Sequence, residues 1–487
     1  MLDEMLSYKS SAGETSSNGG MDDVPNSFGG VSKYNASSRI KITDITSNEK
    51  NQAILQRLKD NDETFDTIYI DSGHPLWATG ADEDTYCYTI IDGEDIGWLG
   101  YYIGQNTILR ELNFFPDLII DEHFYKQLSR NNSISQVRLS RVHFINSNVF
   151  SMLGPFFKNN NSLSSLRVSK CMMGADCLRQ LALAIAECNT SLNEVVFSMN
   201  EIQSGNIVDI ITALSMHPQL KRIDLDGMNI GGVSSTALST LLRCSTTNLQ
   251  SLDLTNCGID DEGLETLSQS IRGSKLQELK LMENQSITIR GWKAVSTLLA
   301  TPDSNLKELA SHGNDIGNEG VLVFANALAS NSSLETLEIS GYGIHIREWV
   351  KPFSEILCDK SSINKTYQSN HILRSVRVDG LGITGSLHHN LVFLNSNEDK
   401  QQVAVYKILQ YHTHFDVQPF FEWEYKVLPI MINWLTKAHK ASTCISALVK
   451  QKTSHNRHRL PLDFGFTYPE EGKIERIKLS IVYDFIK

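Results

Sequence analysis

The chain has 487 residues, of which 41% are hydrophobic and 21% are charged, and its formal net charge is −12. This composition is ordinary for a globular protein, and the negative charge argues against general nucleic-acid binding. No apolar stretch of about 20 residues occurs, so no membrane-spanning helix is expected. The first residues contain no apolar core of signal-peptide length. We therefore expect a cytoplasmic or nuclear protein whose cysteines are reduced.

Charge is distributed unevenly along the chain. From Asp60 to Leu109 there are eleven acidic residues and no Lys or Arg. From Lys426 to Lys478 the balance reverses, with ten basic residues against four acidic ones. Segments of this kind attract oppositely charged partners at long range.

The first hundred residues precede the regular part of the sequence. Residues 1–40 are rich in Ser, Gly and Asn, and we predict that they are disordered because they bury too little apolar surface to offset the entropy of ordering. Residues 41–105 are predicted to form an N-terminal cap. Within it, Phe65, Ile68 and Ile70 have the spacing of a degenerate first strand.

Residues 106–398 contain about ten copies of the pattern L-x-x-L-x-L. Over seven intervals the copies begin 29, 29, 28, 29, 27, 30 and 28 residues apart. Positions +3 and +5 from the first Leu are predicted to face inward from a short strand and to be buried only by neighbouring repeats. One copy has Ser311 in place of its last Leu. The copies begin at Leu109, Ile134, Leu163, Leu192, Leu220, Leu249, Leu276, Leu306, Leu334 and Leu373.

The second half of each repeat is predicted to be a helix, since apolar residues there recur at helical spacing. Two clear sets are Leu264, Leu267 and Ile271, and Val321, Phe324 and Leu328. A strand and a full helix within 28–29 residues resemble the ribonuclease-inhibitor-like leucine-rich-repeat family. This resemblance implies an α/β horseshoe solenoid with a role in binding macromolecules. Residues 399–487 are then predicted to form a helical C-terminal cap over the open end of the solenoid.

Two flanking segments narrow the resemblance. Residues 98–107 (WLGYYIGQNT) and 419–429 (PFFEWEYKVLP) are similar to segments of the large leucine-rich-repeat families of diatoms. The resemblance covers roughly residues 64–487. It implies a fold and a binding role, and it implies no catalytic residues.

Asparagine recurs three residues before the first Leu of five repeats. Because Asn tolerates the left-handed backbone conformation that ends many helices, we interpret these residues as helix caps. Some of them, such as Asn189, also belong to glycosylation sequons, which is the alternative interpretation. The five residues are Asn106, Asn131, Asn160, Asn189 and Asn331.

One glycine motif suggests nucleotide binding. Gly380, Gly382 and Gly385 match G-x-G-x-x-G, in which glycines let a helix N-terminus approach a pyrophosphate. No βαβ unit surrounds the motif, and it falls in the turn of a weak repeat, so we favour a turn. No P-loop motif occurs elsewhere in the sequence. We predict no cofactor.

A histidine pair suggests a metal site. His412 and His414 lie near Glu422 and Glu424, and such side chains can hold zinc. No further ligands follow at zinc spacing, so solvated side chains on a helical cap are the preferred interpretation.

Two cysteines and one basic segment also have two interpretations each. Cys171 and Cys257 take position +8, where the side chain bonds turn backbone, and a reactive thiol is the alternative. The basic run at residues 450–459 is either a solvated loop or a phosphate-contacting or nuclear-import segment.

The inner strand surface is the predicted binding surface. Residues at +2, +4 and +6 from each first Leu point away from the core and into the hollow. From Arg222 to Glu338 these positions carry six acidic and two basic residues, which favours a basic protein segment as the partner, although solubility alone also requires polar residues there. The candidate partner-binding residues are Arg138, Arg167, Arg222, Asp224, Asp226, Asp253, Glu278, Glu308 and Glu338.

The sequence thus predicts a non-enzymatic scaffold or recognition module that binds a protein partner, with no metal and no contact with membrane or nucleic acid. Two other functions remain open. Activators of the GTPase Ran use this repeat subtype, although they carry an acidic tail where this chain is basic. Inhibition of a basic ribonuclease is the third hypothesis, and the mixed charge of the inner surface argues against it.

Overall fold

Strand and helix alternate along the chain, as the repeat pattern predicts. The GxGxxG motif at 380–385 and everything after residue 412 lie outside the residues that the structure describes. The computed structural model describes residues 34, 40–71, 86–91, 93–115, 122–144, 149–188, 192–202, 207–244, 248–339, 346–378, 392, 394–396 and 399–412.

The strands are short, as expected for a repeat that turns directly into a helix. They are β1 Thr67–Asp71, β2 Cys87–Thr89, β3 Glu111–Phe114, β4 Gln136–Ser140, β5 His143–Phe144, β6 Ser165–Ser169, β7 Met172–Met173, β8 Glu194–Ser198, β9 Glu201–Ile202, β10 Arg222–Asp224, β11 Ser251–Asp253, β12 Glu278–Lys280, β13 Glu308–Ala310, β14 Thr336–Ile339 and β15 Ser375–Val378.

Helices fill the second half of the repeats. They are α1 Glu49–Asp60, α2 Gly97–Gln105, α3 Glu122–Leu128, α4 Val149–Asn159, α5 Ala175–Ala186, α6 Val208–Leu214, α7 Val233–Arg243, α8 Asp261–Ile271, α9 Ile289–Leu299, α10 Gly317–Ser330, α11 Ile346–Leu357, α12 Ile363–Gln368 and α13 Lys400–Tyr411. None of these described helices is long and apolar enough to span a membrane.

Within the described residues, twelve strands form one parallel sheet that runs from β2 and β1 at one end to β15 at the other. The pairing register places the +3 residues of successive repeats side by side. The members of this row from Leu112 to Leu337 are buried, so each repeat completes the core of its neighbours. The row includes Ile223, Leu252, Leu279, Leu309 and Leu337. The chain is therefore an α/β leucine-rich-repeat solenoid, which confirms the predicted fold.

Helix α8 illustrates why each strand is followed by a helix. Asp260 caps its N-terminus, and the Asp260 side chain accepts a hydrogen bond of 2.9 Å from the backbone N–H of Gly263. The predicted inward residues Leu264, Leu267 and Ile271 are buried. The same holds in α10 for Val321, Phe324 and Leu328.

A left-handed residue stands at position +7 of seven repeats. This conformation is strained for residues with a Cβ, yet five of the seven are not glycine. Because six different residue types occupy the position, the sequence pattern does not reveal this turn. The residues, with φ between 50° and 78°, are Arg141, Lys170, Met199, Gly227, Asn256, Glu283 and Gly313.

The asparagines at position −3 do cap helices, but the predicted left-handed conformation is wrong. Asn106 and Asn331 end helices α2 and α10 with φ of −72° and −73°. Among the described residues, no asparagine of this row has a positive φ. Extended backbone at this point turns the amide side chain into the interior, where it satisfies backbone groups directly.

Asn160 shows the hydrogen-bonding pattern. Its Oδ1 accepts from the N–H groups of Ser162 and Leu163 at 2.8 and 2.7 Å. Its Nδ2 donates to the carbonyl oxygens of Asn131 and Ile134 at 3.2 and 3.1 Å. One buried side chain thus satisfies four backbone groups in two repeats.

These residues form what we call the asparagine ladder, because each amide reaches back to the preceding repeat. Its described members are Asn106, Asn131, Asn160, Asn331, Asn370 and Asn395. The sequence analysis missed Asn395, and it missed Asn370 although this residue stands three positions before the repeat start Leu373. Asn395 extends the ladder into a unit where α13 follows instead of a strand.

Strand β1 lies where the sequence analysis places a degenerate first repeat. Phe65, Ile68 and Ile70 are fully buried, and strand β1 contains the last two. Tyr34 lies in the segment predicted to be disordered, yet only 2% of its surface is exposed. That expectation is wrong at Tyr34, because its ring packs against Trp98 and buries a large apolar area.

Helix α13 packs at the far end of the solenoid through a buried lysine. Lys407 is 0% exposed. Its Nζ donates to the carbonyl oxygens of Leu357 and Asn370 at 2.6 and 3.0 Å, and it lies 3.2 Å from Nδ1 of His371. Burial lowers the pKa of Lys407 to about 7. Burial, together with Lys407, lowers the pKa of His371 to about 4.

Candidate functional site

Parallel pairing gathers the predicted binding residues on one face of the large sheet. We call the residues at positions +2, +4 and +6 of the repeats the strand face. The register places Asp224 beside Asp253 and Asp253 beside Lys280. In the next row it places Glu278 beside Glu308. Side chains that are 27 to 30 residues apart in sequence therefore become neighbours.

At the N-terminal end of this face the three candidate arginines are paired. Arg138 lies 3.4 Å from Glu111. Arg167 donates twice to Glu194, at 3.0 and 2.8 Å, and Arg222 lies 3.5 Å from the same carboxylate. The arginines are thus held by the protein itself, and the charge of this end is largely compensated.

The sequence analysis missed the carboxylates of these pairs. Glu111 and Glu194 stand at position +2 after Leu109 and Leu192, the same register that identified the other candidates. The signal was present, and applying the register to every repeat would have found them.

In the middle of the strand face, Lys280 neutralises two candidates. Its Nζ lies 3.3 Å from Asp253 and 3.3 Å from Glu278. Although burial opposes the charge, Asp253 and Glu278 raise the pKa of Lys280. Asp253 is only 7% exposed and also accepts a 2.6 Å hydrogen bond from the hydroxyl of Thr255. Asp253 is therefore less accessible than its position in the repeat suggests.

Glu338 is compensated as well, by a residue that the sequence analysis did not select. Arg377 Nη1 lies 2.6 Å from its carboxylate. Arg377 stands at position +4 of the weak repeat that begins at Leu373, so the same register identifies it.

Three candidates have no cation within 4 Å among the described residues: Asp224, Asp226 and Glu308. Burial, together with Asp253, raises the pKa of Asp224. Burial and the neighbouring Asp253 and Asp224 raise the pKa of Asp226, and burial and Glu278 raise that of Glu308. These half-buried carboxylates repel one another, and an arriving cation would relieve that repulsion.

Neutralising two of these groups should stabilise the free protein. A raised carboxyl pKa means that the folded state binds the proton more tightly than the unfolded chain, so stability falls as pH rises through the pKa. Replacing Asp224 and Asp226 with Asn should therefore increase the free energy of unfolding at pH 7 by at most about 1 kcal/mol, with a smaller gain at pH 4.

Urea unfolding at the two pH values measures this difference. Asp303→Asn combined with Asp315→Asn gives the same change in net charge at exposed sites. A gain equal to that of the control pair would mean that local repulsion at Asp224 and Asp226 is absent.

The two turn cysteines have the structural role that their position predicts. Cys171 Sγ lies 3.4 Å from the carbonyl oxygen of Ser169, and Cys257 Sγ lies 3.1 Å from that of Leu225. Burial raises the pKa of Cys171 to about 11 and that of Cys257 to about 12. Both thiols are neutral at pH 7, which makes them poor nucleophiles.

The histidine pair is only partly described. His412 Nε2 lies 2.7 Å from the hydroxyl of Thr366, so its side chain joins α12 to the end of α13. His414, Glu422 and Glu424 lie outside the described residues. Within the part of the chain that is described, no group of three His, Cys, Asp or Glu side chains is placed to hold a metal ion.

Parts of the chain are similar in sequence to known leucine-rich-repeat proteins. A model of the Leucine Rich repeat family matches residues 246–268. The chain is 28% identical over 177 residues to NACHT, LRR and PYD domains-containing protein 3 from Homo sapiens, covering 36% of this chain and 17% of that protein. It is 25% identical over 182 residues to ribonuclease inhibitor from Sus scrofa, covering 37% and 39%. The chain thus spans well under half the length of these relatives. Of the solved structures, TLR13 in the TLR13–ssRNA13 complex aligns with 50% of this chain and 34% of its own, at 16% identity and a TM-score of 0.32.

Proposed function

We propose that this leucine-rich-repeat protein, which is related to ribonuclease inhibitor and to the repeat regions of NACHT, LRR and PYD domains-containing proteins, is a non-enzymatic recognition module. Leucine-rich-repeat domains generally mediate protein interactions. The partner is a protein that binds on the strand face and presents a basic segment to its C-terminal half. The relationship to the diatom families and the location in the cytoplasm or nucleus remain predictions.

The observation that carries the proposal is the uneven compensation of charge. Arg138, Arg167 and Arg222 are paired, and so are Asp253, Glu278 and Glu338. Asp224, Asp226 and Glu308 are not paired within the described residues. A sheet that needed polar residues for solubility alone could place such carboxylates in full contact with water. Half-buried acids with raised pKa values instead reduce stability, which is typical of a site that functions by binding.

The geometry also restricts the form of the partner. Asp224 on β10 and Glu308 on β13 are three strands apart, which is about 14 Å at the usual strand spacing. Two cationic side chains on a segment crossing the strands would therefore need a separation of about four residues if the segment is extended, at roughly 3.4 Å per residue. A single lysine cannot reach both ends of the unpaired set.

Partner capture by a neutralised variant tests this proposal. The full chain with Asp224 and Asp226 changed to Asn and Glu308 changed to Gln should bind a basic protein partner at least about tenfold more weakly than the wild type, because a close charge pair is worth 1.4 kcal/mol or more. The binding constant of the partner recovered from native cells, measured at several salt concentrations, gives both the loss and its electrostatic origin.

The control variant changes Asp60, Asp303 and Asp315 to Asn, which alters the net charge equally at exposed positions. It should bind as the wild type does. Equal binding by the strand-face variant and the wild type would refute a basic ligand at this site. Stimulated GTP hydrolysis by the purified protein would instead support the GTPase-activator hypothesis.

A further inference from the structure

A notch in the N-terminal cap holds the side chain of Tyr34. The Tyr34 ring meets Trp98 edge-on with 4.9 Å between ring centroids, and it stacks on Tyr101 at 6.1 Å. Its hydroxyl donates to Oδ1 of Asp95 at 3.3 Å. The same Oδ1 accepts from the backbone N–H of Gly97 at 3.1 Å, which fixes the carboxylate at the start of helix α2.

Gly97 makes room for the hydroxyl. A Cβ at this position would overlap the Tyr34 Oη, so any other residue would close the notch. The glycine is also the first residue of α2, a position at which its lack of a side chain does not help the helix. The rings of Trp98 and Tyr101, the space beside Gly97 and the acceptor oxygen of Asp95 therefore all match one tyrosyl side chain.

We propose that Asp95, Gly97, Trp98 and Tyr101 form a tyrosine-recognition notch that anchors the N-terminal segment of this chain through Tyr34 and excludes phosphotyrosine. The notch lies in the N-terminal cap, so the proposal is independent of partner binding on the strand face. Its ligand is an unmodified tyrosyl side chain followed by residues that lead to the 3-10 helix Ile42–Asp44.

Exclusion of phosphotyrosine follows from two contacts. The Tyr34 Oη lies so close to Gly97 that a Cβ there would overlap it, and a phosphate on this oxygen would add four bulky atoms in the same confined space. It would also bring two negative charges against the Asp95 carboxylate, in surroundings that leave Tyr34 only 2% exposed. Attachment of the N-terminal segment is thus sensitive to the modification state of Tyr34.

Hydrogen exchange of the full chain, followed by mass spectrometry, tests the anchor. We expect Tyr34→Ala, and a chain carrying phosphotyrosine at position 34 by genetic-code expansion, to exchange the amides of residues 97–105 about tenfold or more faster than the wild type. Tyr34→Phe keeps the ring, so its exchange rate in residues 97–105 should lie between the rates of these two chains and that of the wild type. Tyr367→Ala, at a tyrosine that is 55% exposed, is the matched control.

Residues 289–299, in helix α9, report on the overall fold in every sample. Faster exchange at residues 97–105 with unchanged α9 supports the anchor. Wild-type exchange in Tyr34→Ala would overturn the anchor, and wild-type exchange in the phosphotyrosine chain would overturn the exclusion. If Tyr34→Ala also accelerates exchange in α9, the Tyr34→Phe chain tests the anchor in its place. In that case wild-type exchange of residues 97–105 in both the Tyr34→Phe and the phosphotyrosine chains would overturn the proposal.

Discussion

Replacing Asn160 with Ala is expected to lower the free energy of unfolding by about 4 kcal/mol, because each buried backbone group left without a partner costs about 1–3 kcal/mol. Asn160 is 0% exposed and bonds four such groups. The groups belong to two adjacent repeats, so the loss weakens the contact between repeats as well as the helix end. Urea unfolding followed by circular dichroism measures the change.

Asn305→Ala is the matched control for that substitution. Asn305 is exposed, and its Nδ2 donates to the carbonyl oxygen of Ser274 at 2.7 Å. We expect a loss of no more than about 1 kcal/mol for a single exposed hydrogen bond. Similar losses at the two positions would show that the asparagine ladder does not join the repeats as described.

Replacing Lys407 with Ala is expected to cost about 3 kcal/mol, since it removes a long buried side chain and leaves the carbonyl oxygen of Leu357 without a donor. The carbonyl oxygen of Asn370 loses one donor and keeps the amide of Asn395. Leu357 is the last residue of α11, so the amine also lies at the negative end of a helix dipole. Helix α13 should detach before the repeats unfold, and faster hydrogen exchange in residues 400–411 would report this.

The contribution of Lys407 to the free energy of unfolding should change with pH in a defined direction. The pKa of Lys407 is lowered in the fold to about 7, so the unfolded chain binds the proton more tightly and wild-type stability should rise between pH 7 and pH 10. Lys407→Ala should lose that rise. Gln410→Ala, at an exposed position of the same helix, should keep both the stability and the rise. Wild-type behaviour in Lys407→Ala would contradict a role for the amine in holding α13.

The repeat itself was predictable because it depends on a spacing. Apolar residues at fixed intervals are buried together when they stack in a row across parallel strands, as Leu252 and Leu279 do. The asparagines at −3 were found in the same way. Their backbone conformation was not, because Asn160 exerts its effect through a side chain that reaches another repeat. The local backbone preference of asparagine does not reveal such a contact.

Contacts between distant segments account for most of what the sequence did not show. The sequence suggests that Lys407 is a surface residue on an amphipathic helix. Only the fold places it beside the carbonyl oxygens of Leu357 in α11 and of the ladder residue Asn370. Tyr34 stands in a stretch that composition alone marks as disordered. Its burial depends on a glycine and two aromatic residues more than sixty positions away.

The candidate site was predictable as a surface but not as a charge distribution. The register rule located Asp224, Asp253 and Glu308 on one face, as the pairing shows. It could not show which of them are neutralised, because that depends on where long side chains such as Lys280 turn. The proposed binding surface is therefore smaller than the sequence suggested, and it is centred on the unpaired acids.

The most direct test of this account is a hydrogen-exchange footprint of the full chain with and without its partner. If the partner binds on the strand face, protection should concentrate in strands β10 to β13 and the turns after them, and should leave helices α7 to α10 unchanged. Protection should be lost when Asp224 and Asp226 are changed to Asn and Glu308 is changed to Gln. Protection confined to the helices, with the strands exchanging as in the free protein, would contradict the account.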